Sequence, residues 1–242
     1  MPIPLQDKSS VDQIRRRFDS DVERFSILET GQQAAMDAPL VLELVARSAA
    51  RHARPGGTLL DLGCGAGNFT LRVLAEVSAL NCVLVDLSQP MLQRAESRVR
   101  TATPARVTTI QSDMRLLDFE PASFDLILAG QVVHHLREDA EWELMFNRFH
   151  EWLRPGGALF VADYIAHDDP GIQSVMLEGY AAYLESLGGP SYRDNVLACC
   201  EAEDSPRSLK QQFDWLAKSG FQDFDVLHKN ALFAAFYAKK KA

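Results

Sequence analysis

The sequence has 242 residues, a formal net charge of −8, 47% hydrophobic and 24% charged residues, a globular balance that supports a large core and excludes global disorder. The acidic excess disfavours a nucleic-acid clamp, which needs a basic face to release counterions, without excluding nucleic acid altogether. No apolar run approaches the roughly 18 residues of a membrane span, and the 4 cysteines include no CxxC pair. The opening residues, Met1 to Asp7, lack the basic start and apolar run of a secretory leader, so a cytoplasmic protein without a membrane partner is expected.

In chain order, Val11, Ile14, Phe18, Val22 and Phe25 recur at spacings of three or four and predict an amphipathic helix. Arg15-Arg16-Arg17 reads as a solvated face of it, diluted by Asp19, Asp21 and Glu23. A second helix is predicted with Asp37 as N-cap, Pro39 in the first turn and 40–46 as its apolar body. From residue 58 the texture alternates. Strand-length apolar runs at 58–62, 81–85, 107–111, 124–129 and 158–162 are separated by helical segments at 69–78, 90–100 and 138–153, or by loops. Continuous apolar strands between helices point to a parallel sheet buried on both faces. Ile172, Val175, Met176, Tyr180, Tyr183, Leu184 and Leu187 form an amphipathic helix outside this alternation. Ser205 and Pro206 suit the N-cap and first turn of a helix ending at Gly220. Two apolar runs, 221–228 and 231–238, read as a hairpin turning at Lys229-Asn230.

The most informative stretch is Asp61-Leu62-Gly63-Cys64-Gly65-Ala66-Gly67, which follows a strand and opens a helix. Its glycines permit positive φ and close approach of a ligand to the backbone. The Gly-x-Gly-x-Gly spacing lacks the extra residue of the dinucleotide fingerprint, and Asp61 would repel a pyrophosphate but attract an ammonium group. Both features argue against a nicotinamide-dependent dehydrogenase. Asp86 ends the next strand, about 20 residues past the glycines, where a carboxylate accepts both ribose hydroxyls. Asp113 follows the third strand, where it can accept from an adenine amine while Met114 packs on the ring. An ammonium, a ribose and an adenine occur together in S-adenosyl-L-methionine, whose sulfonium further suits an acidic, phosphate-free site.

With Asp125 in Phe124-Asp125-Leu126-Ile127 and the turn Leu153-Arg154-Pro155-Gly156-Gly157, these motifs resemble the class I S-adenosylmethionine-dependent methyltransferases from about residue 58 to 238. The resemblance implies an α/β fold: a single Rossmann-like, doubly wound, mostly parallel seven-stranded sheet with an antiparallel last strand. N-terminal helices and a helical insertion after strand five complete it. The expected division is a helical cap over 1–54 and a methyltransferase domain over 55–242, with the insertion at about 170–204. The implied cofactor contacts are Asp61, Gly63, Cys64, Gly65, Gly67, Asp86, Leu87, Ser112, Asp113, Met114, Ala129 and Gly130. The stretch 18–25 and the tail 221–238 are also similar to the carboxy-S-adenosylmethionine synthases of tRNA wobble-uridine modification. Where those synthases place an arginine for the added carboxylate, this sequence has Val196-Leu197, so simple methyl transfer is favoured.

Methyl transfer needs alignment of the acceptor with the methyl group, and a base only if the acceptor must lose a proton. Candidate bases are His134 and His135, set against the alternative that the pair only orders a loop. Gln131, Asp163, Tyr164 and His167 are expected to shape the acceptor pocket. Phe18 and Phe25 with Tyr180 and Tyr183 would close over it as a lid, the alternative being plain packing. His134, His135, Asp163 and His167 come from separate loops without a tight ligand motif, so no metal is expected. Cys64 reads as a small filler and Cys199-Cys200 as a helix-face pair. The expected partner is a small-molecule acceptor, with a homodimer left open. The alternatives are a tRNA-modification enzyme like the carboxy-S-adenosylmethionine synthases and a catalytically silent S-adenosylmethionine-binding module.

Overall fold

The computed structural model describes residues 3–27 and 31–242; Met1 and Pro2, part of the opening stretch read above, lie outside them. One sheet runs in the order β3-β2-β1-β4-β5-β7-β6. β1 (Thr58–Leu62), β2 (Asn81–Asp86), β3 (Val107–Gln111), β4 (Phe124–Gly130) and β5 (Leu153–Tyr164) pair in parallel. β7 (Phe233–Lys239) runs antiparallel to both β5 and β6 (Asp223–Asn230). The seven strands and the antiparallel last one agree with expectation. β5 begins at Leu153 rather than 158, because Gly156 at φ +80° lets the chain turn while its pairing with β4 shifts register.

Successive strand residues face opposite layers, as the period of two requires. Leu59, Leu84, Leu126 and Phe160 pack under α3 (Ala38–His52), α4 (Asn68–Glu76) and α5 (Gln89–Ala102). Leu60, Val85, Ile127 and Val161 pack under α6 (Asp139–Trp152) and α8 (Leu209–Lys218). Burial on both faces explains why these strands read as unbroken apolar runs. On α6 the stripe of Trp142, Met145, Phe146, Phe149 and Trp152 is fully buried. Asp125 ties the opposite end of the sheet, accepting from Thr58 N at 2.7 Å and from Arg154 at 2.6 Å.

Several local expectations are corrected. Val41, Leu42 and Val45 of α3 share the core with the sheet, so a division at residue 54 cuts through packed structure. The first helix is two, α1 (Val11–Ser20) and α2 (Val22–Phe25). It breaks at Ser20-Asp21, whose short polar side chains compete for nearby backbone and charge: Ser20 Oγ donates to Arg17 O and Asp21 pairs with Arg24. Asp37 precedes α3 but sits at φ +57° without capping it. Its carboxylate instead accepts from Asn230 at 2.8 Å and meets His228 at 2.9 Å. Because Asn230 is held there, the hairpin turns later, at Ala231-Leu232, with Ala231 at φ +44° and Leu232 fully buried. α8 is capped by Ser208 rather than Ser205, since Ser205 N donates to His134 O at 2.7 Å. The insertion is α7 (Pro170–Glu203), interrupted at Gly189-Pro190 where Gly189 takes φ +78°.

Candidate functional site

The strand order reverses between β1 and β4, which opens a crevice at their carboxyl ends. The glycine turn forms its floor. Gly63 adopts φ +65°, and a Cβ there would lie 2.4 Å from Val132 Cγ2. Gly67 at φ +84° starts α4. Cys64 N donates to Val85 O at 2.9 Å, while Gly65 N donates to Asp86 Oδ2 and Ser88 N to Asp86 Oδ1, both at 2.8 Å. Burial pushes the Asp86 carboxyl up, opposed by the Ser88 and Gly65 amides. Each Asp86 oxygen retains acceptor capacity, and the half-buried carboxylate lines the crevice.

A cavity of about 90 Å³ is lined by Gly63, Cys64, Gly65, Asp86, Leu87, Gly130 and Gln131 among others. A slot of about 50 Å³ adjoins it, with Val85, Leu87, Ser112, Asp113 and Met114 on its walls. Asp113 does not stand free: Arg115 Nη2 donates to it at 2.6 Å and Arg115 also reaches Glu141. Burial would raise the Asp113 carboxyl, but Arg115 holds it below its ordinary value. Asp61 lies beneath the turn, 1% exposed, and accepts from Thr70 Oγ1 at 2.6 Å. Burial raises its pKa to about 7. Asp61 therefore anchors the start of α4 and is not on the walls of these two spaces. Gly67 and Ala129 also stay off the cavity walls, the first as a helix cap and the second within the core.

A third space of about 190 Å³ shares Phe18, Phe25, Gln131 and His135 with the glycine-turn cavity, and is further lined by Tyr164, Tyr180 and His134. Gln131, at φ +55°, stands at the junction; backbone strain of this kind concentrates at functional sites. Phe18 and Phe25 pack 5.6 Å apart and reach over both cavities. Tyr180 lies under the third space, fully buried against Tyr164 and Phe233. Tyr183 instead packs outside and donates to Gln33 O at 2.8 Å. His167 does not reach the cavities; its backbone N donates to Gln173 Oε1 at 2.9 Å.

Asp163 stands behind His134. It accepts from His134 N at 3.1 Å and Tyr164 N at 2.7 Å, and also holds His134 Nδ1. Burial lowers the His134 pKa, but Asp163 and Asp204 outweigh it and raise the value to about 9. The raised pKa disfavours His134 as a general base near neutrality.

Three contributors were not legible in the sequence. Asp204 reaches the two imidazoles because Ser205 N is bonded to His134 O; a contact across 70 positions leaves no local signal. Arg17, read as solvated, turns inward to a bidentate pair with the buried Glu203. Asn68, directly after the last glycine, donates to Phe25 O at 2.9 Å and accepts from Arg98 at 2.9 Å.

Comparison with known proteins agrees with this geometry. Residues 59–157 match a family model described as a methyltransferase domain. Over 98% of its length the chain is 27% identical to a carboxy-S-adenosyl-L-methionine synthase of Wolinella succinogenes, covering 99% of it. It is also 27% identical to the Helicobacter pylori synthase over 81% of each chain. Among solved structures, phosphoethanolamine N-methyltransferase 2 of Haemonchus contortus superposes with a TM-score of 0.68 at 19% identity, over 97% of this chain and 61% of that one. The [4+2]-cyclase SpnF gives 0.67 at 16% identity, over 99% and 98%. Residues 59–157 are thus similar to a methyltransferase domain, and the chain as a whole has the Rossmann-like fold of these solved structures.

Proposed function

We propose that the protein transfers a methyl group from S-adenosylmethionine to a small molecule held between Phe18, Phe25, Gln131 and Tyr164. The observation that carries this is the run of three adjoining cavities from Met114, past Asp86, to the two histidines. The residues fit the cofactor. Asp86 would take the ribose hydroxyls, Leu87 and Met114 would sandwich the adenine, and the Gly63–Gly65 backbone would let the methionine portion lie close. Asp113, tied to Arg115, would reach the adenine amine with its remaining acceptor capacity. When bound, the cofactor supplies an electrophilic methyl group on a sulfonium.

The chain's own residues then align and shield. Gln131, held by its side chain on Ala162 O at 3.3 Å, stands where the two larger cavities join and would orient the acceptor. Phe18 and Phe25 would exclude water. Catalysis on this reading rests on in-line positioning rather than on a base. The cap is the pair α1 and α2, laid over the strand ends and pinned by Arg17 to Glu203 and by Lys8 to Glu201 O at 2.8 Å.

A second reading, a carboxy-S-adenosylmethionine synthase-like activity in tRNA modification, is favoured by the near full-length match to the synthases. Against it, Val196 presents an apolar wall to the acceptor cavity, and Arg17, which lines the same space, is committed to Glu203. Calorimetry with S-adenosylmethionine, S-adenosylhomocysteine and NAD tests the shared premise. The first two are expected to bind and NAD not to; NAD binding in their place would overturn both readings.

A further inference from the structure

The acceptor cavity holds a cluster that methyl transfer as described does not use. His134 Nε2 lies 3.6 Å from Asp204 Oδ1, and His135 Nδ1 lies 3.3 Å from the same oxygen. Ligand atoms from the three side chains all fall within 4.8 Å of one another. We propose that His134 Nε2, a ring nitrogen of His135 and the Asp204 carboxylate form a binding site for a divalent transition metal of the zinc type, open on the cavity side.

Three features of the cluster support this. The first is spacing. Metal–ligand bonds of roughly 2.0–2.1 Å in a tetrahedron place ligand atoms about 3.4 Å apart, and the two measured separations bracket that value. The second is that neither ring nitrogen of His135, though buried, has a hydrogen-bond partner. Buried polar atoms left unpaired are costly, and an ion between His135 and Asp204 would take up one of these two nitrogens. The third is the surroundings of His134. Asp163 holds its Nδ1 and leaves Nε2 turned toward Asp204, the outer-shell arrangement characteristic of metal-binding histidines.

The charge balance agrees. Asp163 and Asp204 face His134, Asp86 and Asp113 lie on the His135 side, and the cation Arg17 is paired with Glu203. The carboxylates around the two imidazoles therefore favour a cation between them. Cys200 is not among the side chains whose ligand atoms converge here. Two imidazole nitrogens and one carboxylate oxygen suit zinc, cobalt or iron(II) rather than magnesium or calcium. Three protein ligands leave a position for water or an acceptor oxygen, as in catalytic rather than structural sites. The site does not depend on the methyl-transfer reading, because metal binding is measured without cofactor or acceptor.

The test is titration of the chelator-treated full chain with Co²⁺ and Zn²⁺. The expected result is one saturable equivalent, with d–d absorption of a four- or five-coordinate cobalt site and no thiolate charge-transfer band. Asp163→Asn should lose roughly 10–100-fold in Zn²⁺ affinity, Asp204→Asn and His135→Gln at least as much, and Cys199→Ser/Cys200→Ser nothing. Thermal melts confirm that each variant is folded. Where His135→Gln does not fold, the wild-type cobalt spectrum and the near-isosteric Asp204→Asn decide. Absence of a stoichiometric cobalt spectrum, or binding lost with the cysteines but kept in Asp204→Asn, would overturn the proposal.

Discussion

Asn68 Nδ2 donates to the backbone carbonyl of Phe25 at 2.9 Å, joining the residue after the glycine turn to the end of the cap. The same side chain accepts from Arg98, which also donates to Ala66 O at 2.6 Å. Cap and turn are therefore coupled through one amide. Asn68→Ala is expected to lose about 1 kcal/mol of cap docking and to weaken S-adenosylmethionine binding roughly fivefold. Proteolysis within the cap should accelerate. Cofactor affinity and cap protection both equal to wild type would show that the cap acts independently of the turn.

Asp86 is the carboxylate on which the ribose assignment rests, and it also fixes Gly65 N and Ser88 N. Asp86→Asn keeps the shape but loses the charge and half of the acceptor capacity, so a loss of about 1–3 kcal/mol in S-adenosylmethionine binding is expected. Calorimetry on a variant with unchanged melting temperature checks it. Wild-type affinity would falsify the assignment.

At Gly63 two penalties coincide. The left-handed φ of +65° alone costs a side chain about 1–3 kcal/mol, and its Cβ would overlap Val132 Cγ2 at 2.4 Å. Gly65 also has positive φ, +49°, but open space around it. Gly63→Ala should therefore lower the melting temperature more than Gly65→Ala; the reverse order would mean that Val132 yields freely.

Asp61 sets a pH dependence. Its pKa of about 7 in the fold stands above the ordinary 3.8, from burial that the Thr70 hydroxyl only partly offsets. Between those values the folded chain binds a proton that the unfolded chain does not, so stability falls as pH rises from about 4 to 7 and stays lower above. The loss is at most about 4 kcal/mol. Asp61→Asn removes this term. Its stability relative to wild type, from urea titrations at several pH values, should climb across that window and then level; a constant difference would place the Asp61 pKa near its ordinary value.

Much of this architecture is legible in the residues. The central parallel strands announce themselves because both faces are buried and nearly every position is apolar, as along β4. The glycine turn and Asp86 are legible because backbone geometry at a switch point restricts residue choice. The hairpin turn was displaced because Asn230 is held by Asp37, nearly two hundred positions away, and Leu232 fills a hole in the core. Asp61 shows the limit of reading charge from position: a strand-end carboxylate need not face the ligand when a threonine below it offers a hydroxyl. Arg17 owes its role to Glu203 at the far end of the helical insertion, and Asp204 to the histidines after β4, contacts on which periodicity is silent.

The central claim, methyl transfer to a small acceptor, is tested most directly by following label from methyl-labelled S-adenosylmethionine in a fractionated cell extract. The expected result is enzyme-dependent label in one low-mass compound, with S-adenosylhomocysteine formed in equal amount. Label confined to tRNA or protein, or S-adenosylmethionine bound but never turned over, would contradict it.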